Sequence, residues 1–257
     1  MPCAREANVE PVRDENIDGD GGGRPARLLP WDAILFDLDG TLVDSIGLIL
    51  SCYRHTMRAH FGRELGDERW LEGLGTPLDR QLAGFARSEA EALAMRETYL
   101  AYQRAVHDGM VRPYPGVTDL LGAIVRVGCP IGLVTSKRRE MTDRTLRVCG
   151  LERVFATIIT PESVSNGKPD PEPVLAAVQA VPGARPERVL FIGDAPADLV
   201  AGRAAGVRTG AVLWGPFPRD RLMALQPDYT FDRPEDIAVL ALGDGPGAAG
   251  SARRNEG

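Results

Sequence analysis

Two aspartates, Asp37 and Asp39, follow the apolar run Ala33-Ile-Leu-Phe36 and precede Gly40. Carboxylates at the end of a buried strand cost several kcal/mol each unless a cation, a proton or hydrogen-bond donors meet them, so this spacing calls for a partner or a function. Three further clusters have the same character. Thr135-Ser-Lys137 follows the apolar Ile131-Gly-Leu-Val134, Lys168 lies in the loop Ser165-Asn-Gly-Lys-Pro-Asp170, and Asp194 and Asp198 follow Val189 to Gly193. Carboxylates, a hydroxyl and an ammonium together suit Mg²⁺ with water and phosphate. The lack of His/Cys clusters speaks against zinc.

The elements that must carry these residues follow from periodicity. Short apolar runs alternate with helical patterns beyond Pro113: helices at Val117–Val125, Arg138–Cys149, Pro173–Ala180 and Asp198–Ala205, strands at 131–135, 157–160, 189–193 and 209–213. Strand and helix in alternation with short connections predict an α/β fold, a Rossmann-like parallel sheet with helices on both faces. Ligands in such sheets bind at the carboxyl ends of the strands, where three of the four clusters fall directly and Lys168 falls in a following loop. Between Ser45 and Asp108 the pattern is helical throughout. Ile46, Ile49, Leu50, Tyr53, Met57 and Phe61 share one face, Thr76-Pro77 reads as a helix start, and Ser88 with Glu91 as a capping box. This stretch reads as an all-α insertion.

The expected organisation is a disordered extension over 1–30, an α/β core of 31–45 and 113–242, a helical cap domain of 46–112 and a flexible tail of 243–257. A net charge of −6 over 257 residues argues against nucleic acid or an anionic membrane as partner. The four cysteines show no metal-ligand or redox spacing, and neither a signal peptide nor a membrane-length apolar run is evident, so a cytoplasmic protein is expected. Oligomeric state, monomer or homodimer, is left open. The three histidines, His55, His60 and His107, fall in the helical stretch and are expected at the surface. Of 30 basic residues only Lys137 and Lys168 are lysines. Lys168 is expected in the site as a compact point charge, Lys137 on solvent at a helix start.

In order, Asp37-Leu-Asp-Gly-Thr41, Thr135, Lys168-Pro169 and Gly193-Asp194 with Asp198 match the four motifs of the haloacid dehalogenase superfamily. The chain resembles that superfamily's phosphohydrolases from about Ala33 to Asp236. It is most similar to the branch of phosphoglycolate phosphatases and related pyrophosphatases, by Val134-Thr-Ser-Lys137, Lys168-Pro-Asp-Pro171 and Pro227-Asp-Tyr229. The resemblance implies Asp37 as nucleophile, Asp39 as general acid and base, and Lys168 as the charge-balancing catalytic lysine. It further implies Thr135 and Ser136 on the substrate phosphate, and Mg²⁺ held among Asp37, the Asp39 carbonyl, Asp194 and Asp198. The substrate would be a small phosphorylated metabolite, with phosphoglycolate or pyrophosphate favoured. Gly75 and Arg80, in the segment Gly75-Thr-Pro-Leu-Asp-Arg80 that interrupts the helical insertion, are candidates for substrate selection, with Arg54 and His55 as alternatives for Arg80. Two other readings are a sugar-phosphate mutase, which Thr41 disfavours, and a catalytically silent phosphate-binding protein. The motif holds Ala195 where Ser or Asn is commoner.

Overall fold

The computed structural model describes residues 30–243 and the backbone of 253–254. The expected N-terminal extension, up to residue 29, and most of the expected tail lie outside the described residues.

The chain opens with β1 (Ala33–Phe36), whose four residues are all buried, followed by the short β2 (Val43–Asp44). Four helices come next: α1 (Ile46–Phe61), α2 (Asp67–Leu71), α3 (Leu78–Ala83) and α4 (Glu89–Val106). The chain returns through β3 (Arg112–Pro113), then alternates: α5 (Val117–Arg126), β4 (Ile131–Val134), α6 (Arg139–Val148), β5 (Thr157–Ile159), α7 (Glu172–Gln179), β6 (Val189–Gly193), α8 (Pro196–Ala204) and β7 (Arg208–Val212). It ends with α9 (Arg219–Met223), β8 (Tyr229–Phe231), α10 (Pro234–Ala241) and β9 (Arg253–Arg254).

The main sheet runs β5-β4-β1-β6-β7-β8-β9, parallel except for the antiparallel β8–β9 pair. β1 is central, with Phe36 opposite Leu133 of β4 and Ile192 of β6. A strand flanked on both edges and covered on both faces can expose no side chain, which is why β1 reads as a continuous apolar run. Strand order turns at β1, and the crevice at its carboxyl end is where Asp37 and Asp39 emerge.

The two segments leading into and out of the helical stretch pair as an antiparallel ribbon, Val43 opposite Pro113 and Asp44 opposite Arg112. Two-residue strands of this kind carry too little pattern to be read from sequence. Within the helices, α1 packs along α4. Tyr53 stacks on Trp70 with ring centroids 4.5 Å apart, and Trp70 lies 5.9 Å from Tyr99.

Ser88 caps α4 by accepting from the Glu91 N–H, but the Glu91 carboxylate turns to the Arg87 backbone N–H at 2.6 Å, so only half of the expected capping box forms. Thr76 is not a cap: its hydroxyl donates to the Gly73 carbonyl at 2.6 Å, and α3 starts beyond Pro77. His107, expected at the surface, is fully buried. It ends α4 against α6, with Nε2 2.8 Å from the Thr145 hydroxyl and Nδ1 2.8 Å from Asp108, and burial lowers its pKa. Arg104 to Glu140 and Arg144 to Asp108 reinforce this docking. No helix among the described residues is long and apolar enough to cross a membrane.

Candidate active site

β1 delivers Asp37 in register with β6, since the Asp37 N–H donates to the Ile192 carbonyl at 2.9 Å. Three residues later the chain turns at Gly40, with φ at +87°. A Cβ there would fall 2.4 Å from Asp194 Oδ2, so glycine is needed both for the turn and for the approach of that carboxylate. Thr41 fixes the other oxygen by donating to Asp194 Oδ1 at 2.8 Å.

Lys168 binds three acceptors: Asp37 Oδ1 and Asp198 Oδ1, each at 2.6 Å, and the Val134 carbonyl at 3.1 Å. Its side chain is 1% exposed. An ammonium with three donors is thereby fully satisfied. Asp198 Oδ2 accepts the Ala195 N–H at 3.0 Å, so one carboxylate holds Lys168 and caps the start of α8.

Asp37, Asp194 and Asp198 each place a carboxylate oxygen within 4.8 Å of the others. Burial, together with the neighbouring Asp198 and Asp39, pushes the Asp37 carboxyl up to about 7 even though Lys168 pulls it down. Burial likewise raises Asp194 well above the usual carboxylate range. For Lys168, burial works against the charge, but Asp198 and Asp37 outweigh it and the pKa is raised. Asp194 Oδ2 is buried with no hydrogen-bond partner among the described residues. Three carboxylates against one ammonium, with one oxygen orphaned, fit a hard divalent cation. Asp194 and Asp37 suit it best, because both Asp198 oxygens already accept bonds.

Asp39 has a different environment. Its Oδ1 accepts Ser45 Oγ and Lys137 Nζ, both at 2.6 Å, while Oδ2 has no protein partner among the described residues. Lys137 is therefore not the solvent-facing residue expected from its place before α6: its side chain is 5% exposed and points inward to Asp39. Helix periodicity could not reveal this, because Lys137 precedes the first turn. Its rarity as a lysine in an arginine-rich chain was the available signal.

Above these residues lies a cavity of about 80 Å³. Asp37, Asp39, Thr135 and Lys137 line it from the sheet, and Trp70, Leu74, Gly75, Gln81 and Gln103 from the helices. Thr135 Oγ1 accepts the Lys137 N–H at 3.1 Å, which leaves its own hydroxyl proton for a ligand. Ser136 instead donates to the Gly75 carbonyl at 2.7 Å, joining sheet to helical roof. Gly75, at φ +90°, sits so close to Ala195 that a Cβ would approach the alanine methyl to 2.7 Å. The small residue at 195 thus gives room for the roof to sit down.

Arg80 is not brought to this cavity. It is exposed and borders a separate groove with Pro77, Asn166, Gly167 and Pro169, because α3 turns it away from Leu78 and Gln81, which do line the cavity. Arg54 pairs with Asp67 and His55 stacks on Tyr102, both exposed and outside the cavity lining. The arginine that lines it is Arg138, which sequence reasoning missed.

The haloacid dehalogenase-like hydrolase family model matches residues 34–212. The chain is 34% identical over 205 residues to pyrophosphatase PpaX of Bacillus velezensis, covering 80% of this chain and 94% of that protein. It is 35% identical over 211 residues to pyrophosphatase PpaX of Oceanobacillus iheyensis, covering 82% and 96%. Among solved structures, a candidate phosphoglycolate phosphatase from Lactobacillus plantarum superimposes with a TM-score of 0.73 at 27% identity, covering 82% of this chain and 99% of that one. The match across most of the chain, and the aspartates and lysine that meet at the end of β1, make this protein a member of the haloacid dehalogenase-like hydrolases.

Proposed function

We propose that the protein is a Mg²⁺-dependent phosphohydrolase for a small phosphorylated metabolite, with phosphoglycolate or pyrophosphate favoured, working through an aspartyl phosphate on Asp37. The observation that supports this most is the contrast between the two aspartates. Asp37 is buried at the cavity base against Lys168, while Asp39 faces the cavity with Oδ2 unengaged.

In this reading an Asp37 oxygen attacks phosphorus, and the bond from phosphorus to the leaving oxygen breaks with its electron pair. Asp39 Oδ2 gives that oxygen a proton. Asp39 then takes a proton from water as the water oxygen attacks phosphorus, which releases phosphate and restores Asp37. Lys168, held by Asp198 and the Val134 carbonyl, keeps positive charge beside the nucleophile, and the Thr135 hydroxyl donates to a phosphoryl oxygen. Mg²⁺, which Asp37, the Asp39 carbonyl and Asp194 would hold, supplies charge that offsets the repulsion between carboxylate and phosphate. Ile49, Leu74, Leu100 and Met141 give the cavity dry walls, and its size suits a leaving group of a few atoms. The two PpaX relatives, pyrophosphatases by name, point the same way.

A screen of the purified protein over phosphoglycolate, pyrophosphate, hexose phosphates and nucleotides, with Mg²⁺ or with chelator, tests this. Metal-dependent phosphate release greatest on the small substrates is expected. Asp37→Asn should cost at least ~10³-fold. Retention of more than about a tenth of the activity by that variant would sink the assignment of Asp37.

A further inference from the structure

The two lysines of this chain end in the same site in opposite states. Lys168 spends all three donors on Asp37, Asp198 and the Val134 carbonyl. Lys137 is nearly as buried but has one side-chain partner among the described residues, Asp39 Oδ1, and it lines the cavity. A buried ammonium with two donors unspent is costly unless a ligand meets them. The other cation lining the cavity, Arg138, is already engaged: its guanidinium lies 3.4 Å from Glu162 and 3.9 Å from Asp79. Lys137 also stands 2.6 Å from the carboxylate that faces the leaving oxygen in the reading above. Atoms attached to the leaving oxygen then come within its reach.

Resting on the phosphohydrolase reading, we infer that Lys137 is the second-anion site of the cavity, selecting phosphate esters and anhydrides whose leaving group carries its own carboxylate or phosphate close to the scissile oxygen. The free donors of the ammonium meet that second anion while the third stays on Asp39. A leaving group of the same size without charge offers those donors at most a weaker neutral acceptor, and the enzyme discriminates against it by that loss.

Phosphoglycolate and pyrophosphate are to be compared with 2-hydroxyethyl phosphate, which replaces the carboxylate of phosphoglycolate by a hydroxymethyl group. The unsubstituted protein with Mg²⁺ should prefer at least one of the two anionic substrates by roughly tenfold or more in kcat/KM, since a charged hydrogen bond is worth about that or more. Lys137→Met should lower kcat/KM for that substrate ten- to a hundredfold more than for 2-hydroxyethyl phosphate, chiefly through KM. Lys137→Arg, which keeps the charge, should recover part of the preference. Equal losses on charged and uncharged substrates by a Lys137→Met protein of unchanged thermal midpoint would overturn the inference, leaving Lys137 as a support for Asp39 alone. If Lys137→Met does not fold, the unsubstituted protein and Lys137→Arg decide. Metal-dependent release with no preference for a charged leaving group refutes the second-anion site and spares the phosphohydrolase. No release from any phosphate compound refutes the phosphohydrolase reading itself, and the inference with it.

Discussion

Among the described residues the carboxylate of Asp39 is held through one oxygen only, by Ser45 and Lys137. Rotation is restrained while Oδ2 stays available, which is what a group that must both give and take a proton requires. On the proposed mechanism, Asp39→Asn keeps the shape and removes the proton chemistry. An aryl phosphate, whose leaving group needs little protonation, should still phosphorylate Asp37 in a single turnover, whereas an alkyl phosphate should not. The phosphorylated protein should then persist, because no base remains to activate water. Quenched-flow measurement of bound phosphate distinguishes the two, and equal losses for both leaving groups would argue that Asp39 is not the acid.

Among elements, the decisive contact joins the segment before α3 to the start of α8. Gly75 reaches Ala195 at a distance no Cβ tolerates, and its carbonyl accepts from Ser136. Gly75→Ala would add a methyl to that contact and place an L side chain at positive φ, a penalty of roughly 1–2 kcal/mol for the conformation alone. A fall of about tenfold in kcat/KM is expected, with the larger part in KM, because seating of the roof over the cavity is what weakens. Pairing it with Ala195→Gly should recover part of the loss, since the clash is relieved while the backbone strain remains. A double-mutant cycle on kcat/KM measures this coupling, and strict additivity would mean the contact plays no part in turnover.

For the molecule as a whole, the site concentrates negative charge in the core of the sheet, and stability should register it. Asp37 and Asp194 have folded-state pKa values raised above those of an unfolded chain, chiefly by burial. The folded state then binds more protons than the unfolded one, so their contribution to stability is fullest at acid pH and is lost as pH rises through the folded values, near 7 for Asp37. In chelator the thermal midpoint should fall between pH 6 and 8. Mg²⁺ should raise it more at pH 8 than at pH 6, and binding near neutral pH should release protons. Calorimetry in buffers of different ionisation enthalpy counts them, and a metal effect independent of pH would contradict the charge balance described for the site.

By itself the sequence determined the alternation of strand and helix, the helical insertion after Ser45, and the ends of β1, β4 and β6 as the place where Asp37, Asp39, Thr135 and Asp194 gather. These are legible because a buried strand must be apolar throughout and its first polar residue marks the exit from the sheet. The ribbon of β2 and β3 was not, since two residues have no period. Nor were the partners of the charged groups. Lys137 turned inward to Asp39, Arg80 turned away from the cavity, and His107 was buried against Thr145, although each is a polar residue in a helical context whose neighbours in sequence say nothing of its neighbours in space. Only the packing of α6 against the end of α4, and of the α2–α3 segment over the sheet, decided which charges meet. An ion pair such as Lys137 with Asp39 joins residues 98 positions apart, and its energy depends on distance and burial, which exist only once the chain has folded.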